Sequence, residues 1–111
     1  MPTEIVLLSE VEPTSAVMVR AAAADHPDGT FLEYRDGQIR QFVDAQGHAL
    51  LSVYRSRPVR EAREAADAVH QRPSAFGLWT DMAVPYGDRG PGRALADAIA
   101  AAVGGVIADR V

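Results

Sequence analysis

Residues 75–111 read AFGLWTDMAVPYGDRGPGRALADAIAAAVGGVIADRV, and the rest of the chain is interpreted outward from this run. The segment 76–84 is apolar enough for a buried strand, whereas residues 85–92 hold three glycines and two prolines, which interrupt strands and helices alike. From Arg93 the apolar residues recur at helical spacing as far as the Gly-Gly pair at 104–105, a helix terminator. The run therefore predicts a strand, a glycine-rich loop, a helix and a last strand.

The middle of the chain predicts an antiparallel meander. Strand-like segments at 31–35 and 39–43 are joined across Asp36-Gly37, which favours a tight hairpin because both central positions of such a turn need positive φ. A four-residue turn at 44–47 leads into a third strand at 48–54. Alternation predicts a core face of Leu32, Tyr34, Ile39, Val43, Leu51 and Val53, and an outward face of Glu33, Arg35, Arg40 and Asp44.

Further elements flank the meander. An apolar strand at 4–10 and a helix at about 14–24 precede it, and a charged helix with a narrow apolar stripe is predicted at 58–70. We therefore expect one α+β domain over residues 1–111, in two layers, with the order β-α-β-β-β-α-β-α-β. The sheet is predicted to be mixed, with five or six strands and three helices, and with right-handed crossovers between parallel strands.

Composition excludes several classes of site. The chain has no cysteine, and its eleven basic residues are all arginines, which excludes disulfides, zinc-thiolate sites and a lysine base or Schiff-base amine. The net charge of −4 does not predict a basic surface for a nucleic acid. No apolar run has the length and composition expected of a membrane span or a signal peptide. We expect a cytoplasmic protein of a high-GC bacterium, without membrane insertion and without a nucleic-acid partner.

The glycine-rich loop before the last helix is the candidate site for an anion or small ligand. Backbone N–H groups and the helix dipole converge at such a place, with arginine side chains nearby. The loop is neither a Walker motif, which needs lysine, nor a dinucleotide fingerprint, and a plain connecting loop explains its composition better than an anion site does. The residues of this candidate loop are Gly87, Arg89, Gly90, Gly92 and Arg93.

Catalytic and metal-binding patterns are weak. Glu10 and Asp81 follow or end apolar strands and form the best acid pair if those strands are neighbours, although such acids often cap helices instead. His26, with Asp25 and Asp28, suits a helix-terminating loop better than a metal site. No catalytic residue, metal or cofactor is predicted.

A second group of residues predicts a surface for a protein partner. Tyrosine, tryptophan and arginine are enriched where proteins bind one another, although a tryptophan in the middle of a strand is also typical of a core. The candidate interaction residues are Arg35, Asp36, Arg40, Trp79 and Tyr86.

Four segments together resemble a known family. Leu8-Ser9-Glu10, residues 44–53, Leu78-Trp79-Thr80-Asp81 and residues 102–105 resemble, in order and spacing, the N-terminal unit of an uncharacterised actinobacterial family encoded among type VII secretion genes. Members of that family carry glutamate where this chain has Asp81. The resemblance implies an accessory or interaction role near a secretion apparatus and brings no catalytic residues with it.

The sequence thus favours a non-enzymatic protein-interaction module: an adaptor, a chaperone or an immunity-type accessory protein. Its partner would be another protein, such as a secretion component, or its own copy in a homo-oligomer. The alternative is a small enzyme or a domain for a small ligand or anion, using the loop from Gly87 to Arg93 together with Asp81.

Overall fold

The computed structural model describes residues 3–59, 77–85 and 90–109, which form an α+β fold. Their elements, in chain order, are β1 (Thr3–Ser9), α1 (Ser15–Ala23), β2 (Thr30–Tyr34), β3 (Ile39–Val43), β4 (Ala49–Tyr54), β5 (Arg57–Pro58), β6 (Leu78–Val84), α2 (Gly90–Val103) and β7 (Val106–Asp109). Neither helix in this part of the chain is long and apolar enough to cross a membrane.

The described strands form one sheet in the order β2-β3-β4-β6-β1-β7, with β5 also paired to β6. The meander β2-β3-β4 lies at one edge. Every pairing between described strands is antiparallel. The prediction that the hydrogen-bonded sheet is mixed is therefore wrong for the described strands. β6 and β7 are both antiparallel to β1, so they run parallel to each other on either side of it, and α2 makes the crossover between them.

The strand β5 occupies the start of the expected 58–70 helix. Pro58 pairs with Leu78, so the chain is still extended there; the remainder of that predicted helix lies outside the described residues. Both β4 and β5 run along β6, with Val53 opposite Met82 and Arg57 opposite Trp79. Three residues lie between Val53 and Arg57, whereas two lie between Met82 and Trp79 on β6. The extra residue forms a β-bulge. The hydroxyls of Ser56 and Thr80 meet across it at 2.6 Å.

The helices cover one face of the sheet, called here the inner face. The larger core joins Met18 of α1 and Ile99 of α2 to inward side chains of the strands, among them Phe42, Leu51 and Val53. A second cluster lies on the opposite, outer face: Val6, Leu8, Val59, Trp79 and Ala108. β1 is therefore buried on both of its faces from Ile5 onward.

Local chemistry explains where the helices begin and end. The Thr14 side chain accepts a hydrogen bond from the Val17 N–H at 3.3 Å and caps α1, which spans nearly the predicted residues. α2 ends at Gly104, whose φ of 68° lets Gly104 and Gly105 donate to the carbonyls of Ala101 and Ala100. This is the Schellman termination that the Gly-Gly pair predicts.

Candidate interaction surface

The outer face of the meander presents a row of apolar side chains. Tyr34 pairs with Ile39, and Ile39 pairs with Tyr54, so the three residues lie side by side on β2, β3 and β4. Directly opposed residues share a face, and this face is turned away from the helices. Tyr34 is 47% exposed and Tyr54 39% exposed, with Ile39 partly exposed between them. We call Tyr34, Ile39 and Tyr54 the tyrosine row.

The position of this row corrects the predicted core face of the meander. Phe31 and Phe42 form a cross-strand pair with ring centroids 4.9 Å apart, and both pack into the inner core. Because neighbours along a strand point to opposite faces, placing Phe42 inward turns Ile39 and Val43 outward. Only Leu51 and Val53 of the expected set lie fully in the core, and Leu32, Tyr34, Ile39 and Val43 do not.

The turn next to the row carries two of the predicted interaction residues. Arg35 and Asp36 are exposed, with φ of 52° and 57°, and Gly37 also has a positive φ of 84°. The expected positive φ at Asp36 and Gly37 is confirmed, but β2 ends at Tyr34 and β3 begins at Ile39, so the loop has four residues and starts one residue earlier than predicted. The Arg55 side chain donates to the Asp36 carbonyl at 3.4 Å and holds this loop beside Tyr54.

Arg40 is buried, which corrects its predicted outward position. Its side chain lies on the inner face, 7% exposed, and its Nη1 donates to the carbonyl of Pro13 at 3.2 Å. Its Nε has no hydrogen-bond partner. Desolvation lowers the pKa of the guanidinium, while the carboxylates of Glu12 and Glu33 act in the opposite direction and Arg55 lowers it further. Arg40 thus ties β3 to the segment that leads into α1 and is not available to a partner.

Glu33 supplies a negative charge to the start of α1. Ser15, the first residue of that helix, donates its hydroxyl to Glu33 Oε1 at 2.7 Å. α1 has no acidic residue in its own first turn, so a carboxylate from β2 faces the positive end of the helix dipole. The inner face near Arg40 is therefore organised by contacts within the chain.

Trp79 belongs to the outer core rather than to an exposed surface, so its placement among interaction residues is also corrected. The side chain is 3% exposed, and its indole N–H donates to Asp81 Oδ1 at 2.9 Å. The guanidinium carbon of Arg57 lies 4.9 Å from the ring centroid, a cation–π contact. Tyr86, the fifth predicted interaction residue, lies outside the described residues.

The two acids of the predicted pair are not brought together. Their strands are neighbours as required, but Asp81 lies opposite Val6, four positions before Glu10. At the rise of an extended strand this is a separation of about 13 Å, beyond the reach of two carboxyls that share one substrate atom. Asp81 instead accepts the indole N–H of Trp79.

The described residues of the predicted loop, Gly90, Gly92 and Arg93, belong to the first turn of α2, which begins three residues before the predicted start, and they are engaged in packing and ion pairs. Arg93 Nη1 donates to Asp109 Oδ1 at 2.9 Å, and its Nε lies 3.7 Å from Asp97. A Cβ added to Gly92 would clash with the Leu50 carbonyl, so this glycine permits close contact of α2 with β4. Gly90 starts α2 beside an open depression of about 310 Å³. Gly87 and Arg89 lie outside the described residues.

Comparison with models of protein families, with curated proteins and with solved structures gives no match for this chain. Within the described ranges, no three histidine or acidic side chains are grouped so that they could hold a metal ion. Sequence reasoning missed the tyrosine row as a surface because the alternation of residues placed Tyr34 and Ile39 on the predicted core face. The Phe31–Phe42 pairing could have revealed it, since it fixes which residues face the helices.

Proposed function

We propose that this chain is a non-enzymatic protein-interaction module, and that it binds its partner through the tyrosine row. In this proposal it acts as an adaptor, a chaperone or an immunity-type accessory protein, and the family resemblance links it to type VII secretion. The observation that supports the proposal is the apolar row left half-exposed on the outer face of the meander.

The row has the properties of a binding surface. Tyrosine contributes a large contact area with little loss of conformational freedom, and it is enriched where binding energy concentrates. The two tyrosines are held on hydrogen-bonded strands on either side of Ile39, so the surface is preorganised. Preorganisation lowers the entropic cost of binding.

The chemistry around the row indicates the kind of segment it would accept. Arg35 and Arg55 directly follow Tyr34 and Tyr54 in the sequence and are exposed, so both side chains can reach a partner that binds the row. β2 is an edge strand, with β3 as its neighbour in the described sheet, so an extended segment has backbone groups available to it. We therefore expect an extended partner segment that carries apolar side chains next to an acidic residue.

The test uses the purified chain as bait in a lysate of a high-GC actinobacterium, followed by mass spectrometry and then calorimetry with the purified partner. The double variant Tyr34→Ser/Tyr54→Ser is compared with Val11→Ser, which removes an exposed apolar side chain (58% exposed) outside the row. The expected result is one stoichiometric partner whose Kd rises at least about tenfold in the double variant and is unchanged in the Val11 variant.

Three other outcomes count against the proposal. A partner that binds the double variant as tightly as the wild-type chain contradicts the assignment of the surface. Equal weakening by the Val11 variant shows a non-specific apolar contact. Recovery of no partner under conditions in which the chain is folded contradicts the interaction module itself.

A further inference from the structure

A cavity of about 90 Å³ lies between the end of α1 and the inner face of the meander, away from the tyrosine row. Protein interiors rarely leave more space than one water molecule needs. The lining is mainly apolar and comes from α1, from the loop that follows it and from three strands: Val19, Ala22, Ala23, His26, Pro27, Gly29, Thr30, Phe31, Phe42, Val43 and Leu50.

Three features of the sequence shape this cavity. The last turn of α1 carries Ala22 and Ala23, whose methyl groups do not reach far over the phenylalanine pair below. A Cβ at Gly29 would lie 2.8 Å from the Val43 carbonyl oxygen, so the absence of a side chain lets this loop close the end of the cavity. A register shift between Phe42 and Val43 turns Leu50 inward and forms the third wall.

The lining selects an apolar ligand with one polar group. Most of the lining side chains are apolar, and the only polar side chains among them are those of Thr30 and His26. A buried water needs two to four polar partners, so an apolar ligand fits most of this space better than water does. His26 carries the only titratable side chain in this lining, and that side chain has no hydrogen-bond partner among the described residues. Its neighbours in the loop, Asp25 and Asp28, are exposed carboxylates that disfavour a negatively charged ligand.

The size of the space limits the ligand to a single ring. An apolar cavity of about 150 Å³ is sufficient for benzene, and this cavity is smaller but open at one side. We propose that it binds a neutral, hydroxylated aromatic ring of the phenol class, with the ring against Phe31 and Phe42 and the hydroxyl bonded to the His26 imidazole. This site is independent of the protein-interaction surface.

Phenol itself is the probe, titrated into the isotope-labelled chain and followed by NMR, with benzene and benzoate as comparison ligands. We expect saturable shifts confined to the backbone of 19–31 and 42–50, with a Kd on the order of 1 mM for so small a ligand. Benzene should bind roughly fivefold more weakly for want of the hydrogen bond, and benzoate more weakly still.

Two variants and a matched control make the test specific. Ala23→Leu adds bulk at the exposed rim of the cavity and should raise the Kd for phenol at least about tenfold. Ala24→Leu makes the same change at the next residue, which does not line the cavity, and should bind phenol as the wild-type chain does. His26→Ala should bind phenol and benzene equally.

Several results would overturn the proposal. Shifts that do not saturate, or that spread over the whole sheet, show that there is no site. Equal binding by Ala23→Leu and the wild-type chain places the ligand elsewhere. A preference for phenol over benzene that persists in His26→Ala removes the role assigned to the imidazole.

Discussion

The carboxylate of Asp44 organises the turn between β3 and β4. Its Oδ1 accepts the backbone N–H groups of His48 at 2.8 Å and Gln46 at 2.9 Å, and the Asp44 N–H donates to the His48 carbonyl at 2.9 Å. The hydrogen bond from the His48 backbone is the main reason that the pKa of Asp44 lies below its ordinary value of 3.8. The side chain thus replaces solvent for two backbone donors that the turn leaves without strand partners.

This lowered pKa makes the turn sensitive to acid. Because the folded chain holds the carboxyl deprotonated more strongly than the unfolded chain does, its contribution to stability is complete above the ordinary aspartate pKa and is lost as the pH falls through the folded pKa. The melting temperature of the wild-type chain should therefore fall more steeply below about pH 4 than that of Asp44→Asn.

Thermal unfolding followed by circular dichroism over a series of pH values measures the difference. Asp28→Asn is the control, since no hydrogen bond to its side chain is found among the described residues. Parallel curves for the wild-type chain and Asp44→Asn would show that the turn hydrogen bonds do not depend on the carboxylate charge.

Individual polar residues were the hardest to place from sequence. Arg40 lies on the inner face because the Pro13 carbonyl, distant in sequence, is there to accept its Nη1. Trp79 is buried because an acid two residues away accepts its indole N–H and Arg57 lies over its ring. The Pro13 carbonyl and Arg57 lie on other elements and cannot be inferred from the alternation of one strand, whereas the Asp36-Gly37 and Gly104 backbones follow from local chemistry.

At the level of elements, the strands were predictable and their faces were not. Phe31 and Leu32 are consecutive in β2, and Phe42 and Val43 are consecutive in β3. Consecutive residues of a strand point to opposite faces, so each strand has an apolar side chain for either face. The tertiary pairing selects the phase that buries both phenylalanine rings against the helices. The glycine-rich segment at 85–92 was also only partly predictable. Its composition predicts that the preceding strand is interrupted, but it does not predict that Gly92 packs on β4.

The assignment of faces predicts unequal effects of two similar substitutions in β3. Phe42→Ser should lower the free energy of unfolding by about 4 kcal/mol, because it removes a ring from the inner core and buries a hydroxyl. Ile39→Ser, on the half-exposed row, should cost about 1 kcal/mol. Urea unfolding of both variants tests this, and a larger loss in Ile39→Ser would reverse the assignment.

The contact of α2 with β4 gives a second prediction at this scale. Gly92→Ala should lower the free energy of unfolding by about 2 kcal/mol, because the new Cβ clashes with the Leu50 carbonyl and the helix must move. Gly77→Ala is the matched control, since a Cβ there meets no atom of the described residues within 4 Å, and should change stability by less than about 0.5 kcal/mol. Equal effects in guanidinium unfolding would contradict the close packing.

At the scale of the molecule, the strand order predicts that backbone amides in different strands are protected from hydrogen exchange to different degrees. β1 lies between β6 and β7 and is buried on both faces, whereas β2 is an edge strand with exposed residues at both of its ends. Hydrogen exchange followed by NMR should show the slowest amides in β1 and β6 and the fastest strand amides in β2. Protection of β2 equal to that of β1 would contradict a free edge and would favour pairing between copies of the chain.

The strand order was beyond the reach of sequence for a general reason. Each strand was recognisable, but the pairing of β1 with both β6 and β7 depends on how two connections return across the sheet. A strand covered on both faces has the same apolar composition in parallel and antiparallel sheets. The residue pattern therefore could not distinguish the expected mixed sheet from an antiparallel one.

The central place of β1 has a consequence for how the chain is made. Ile5 finds its strand partners at Met82 and Asp109, so β1 is synthesised well before either of the strands with which it pairs. Until then the run Ile5-Val6-Leu7-Leu8 is an unpaired apolar strand in a nascent chain, the kind of segment that aggregates or recruits a chaperone. Pairing strands that are so far apart in the sequence also slows folding. The chain between them loses conformational entropy before the contacts of β1 with β6 and β7 can form.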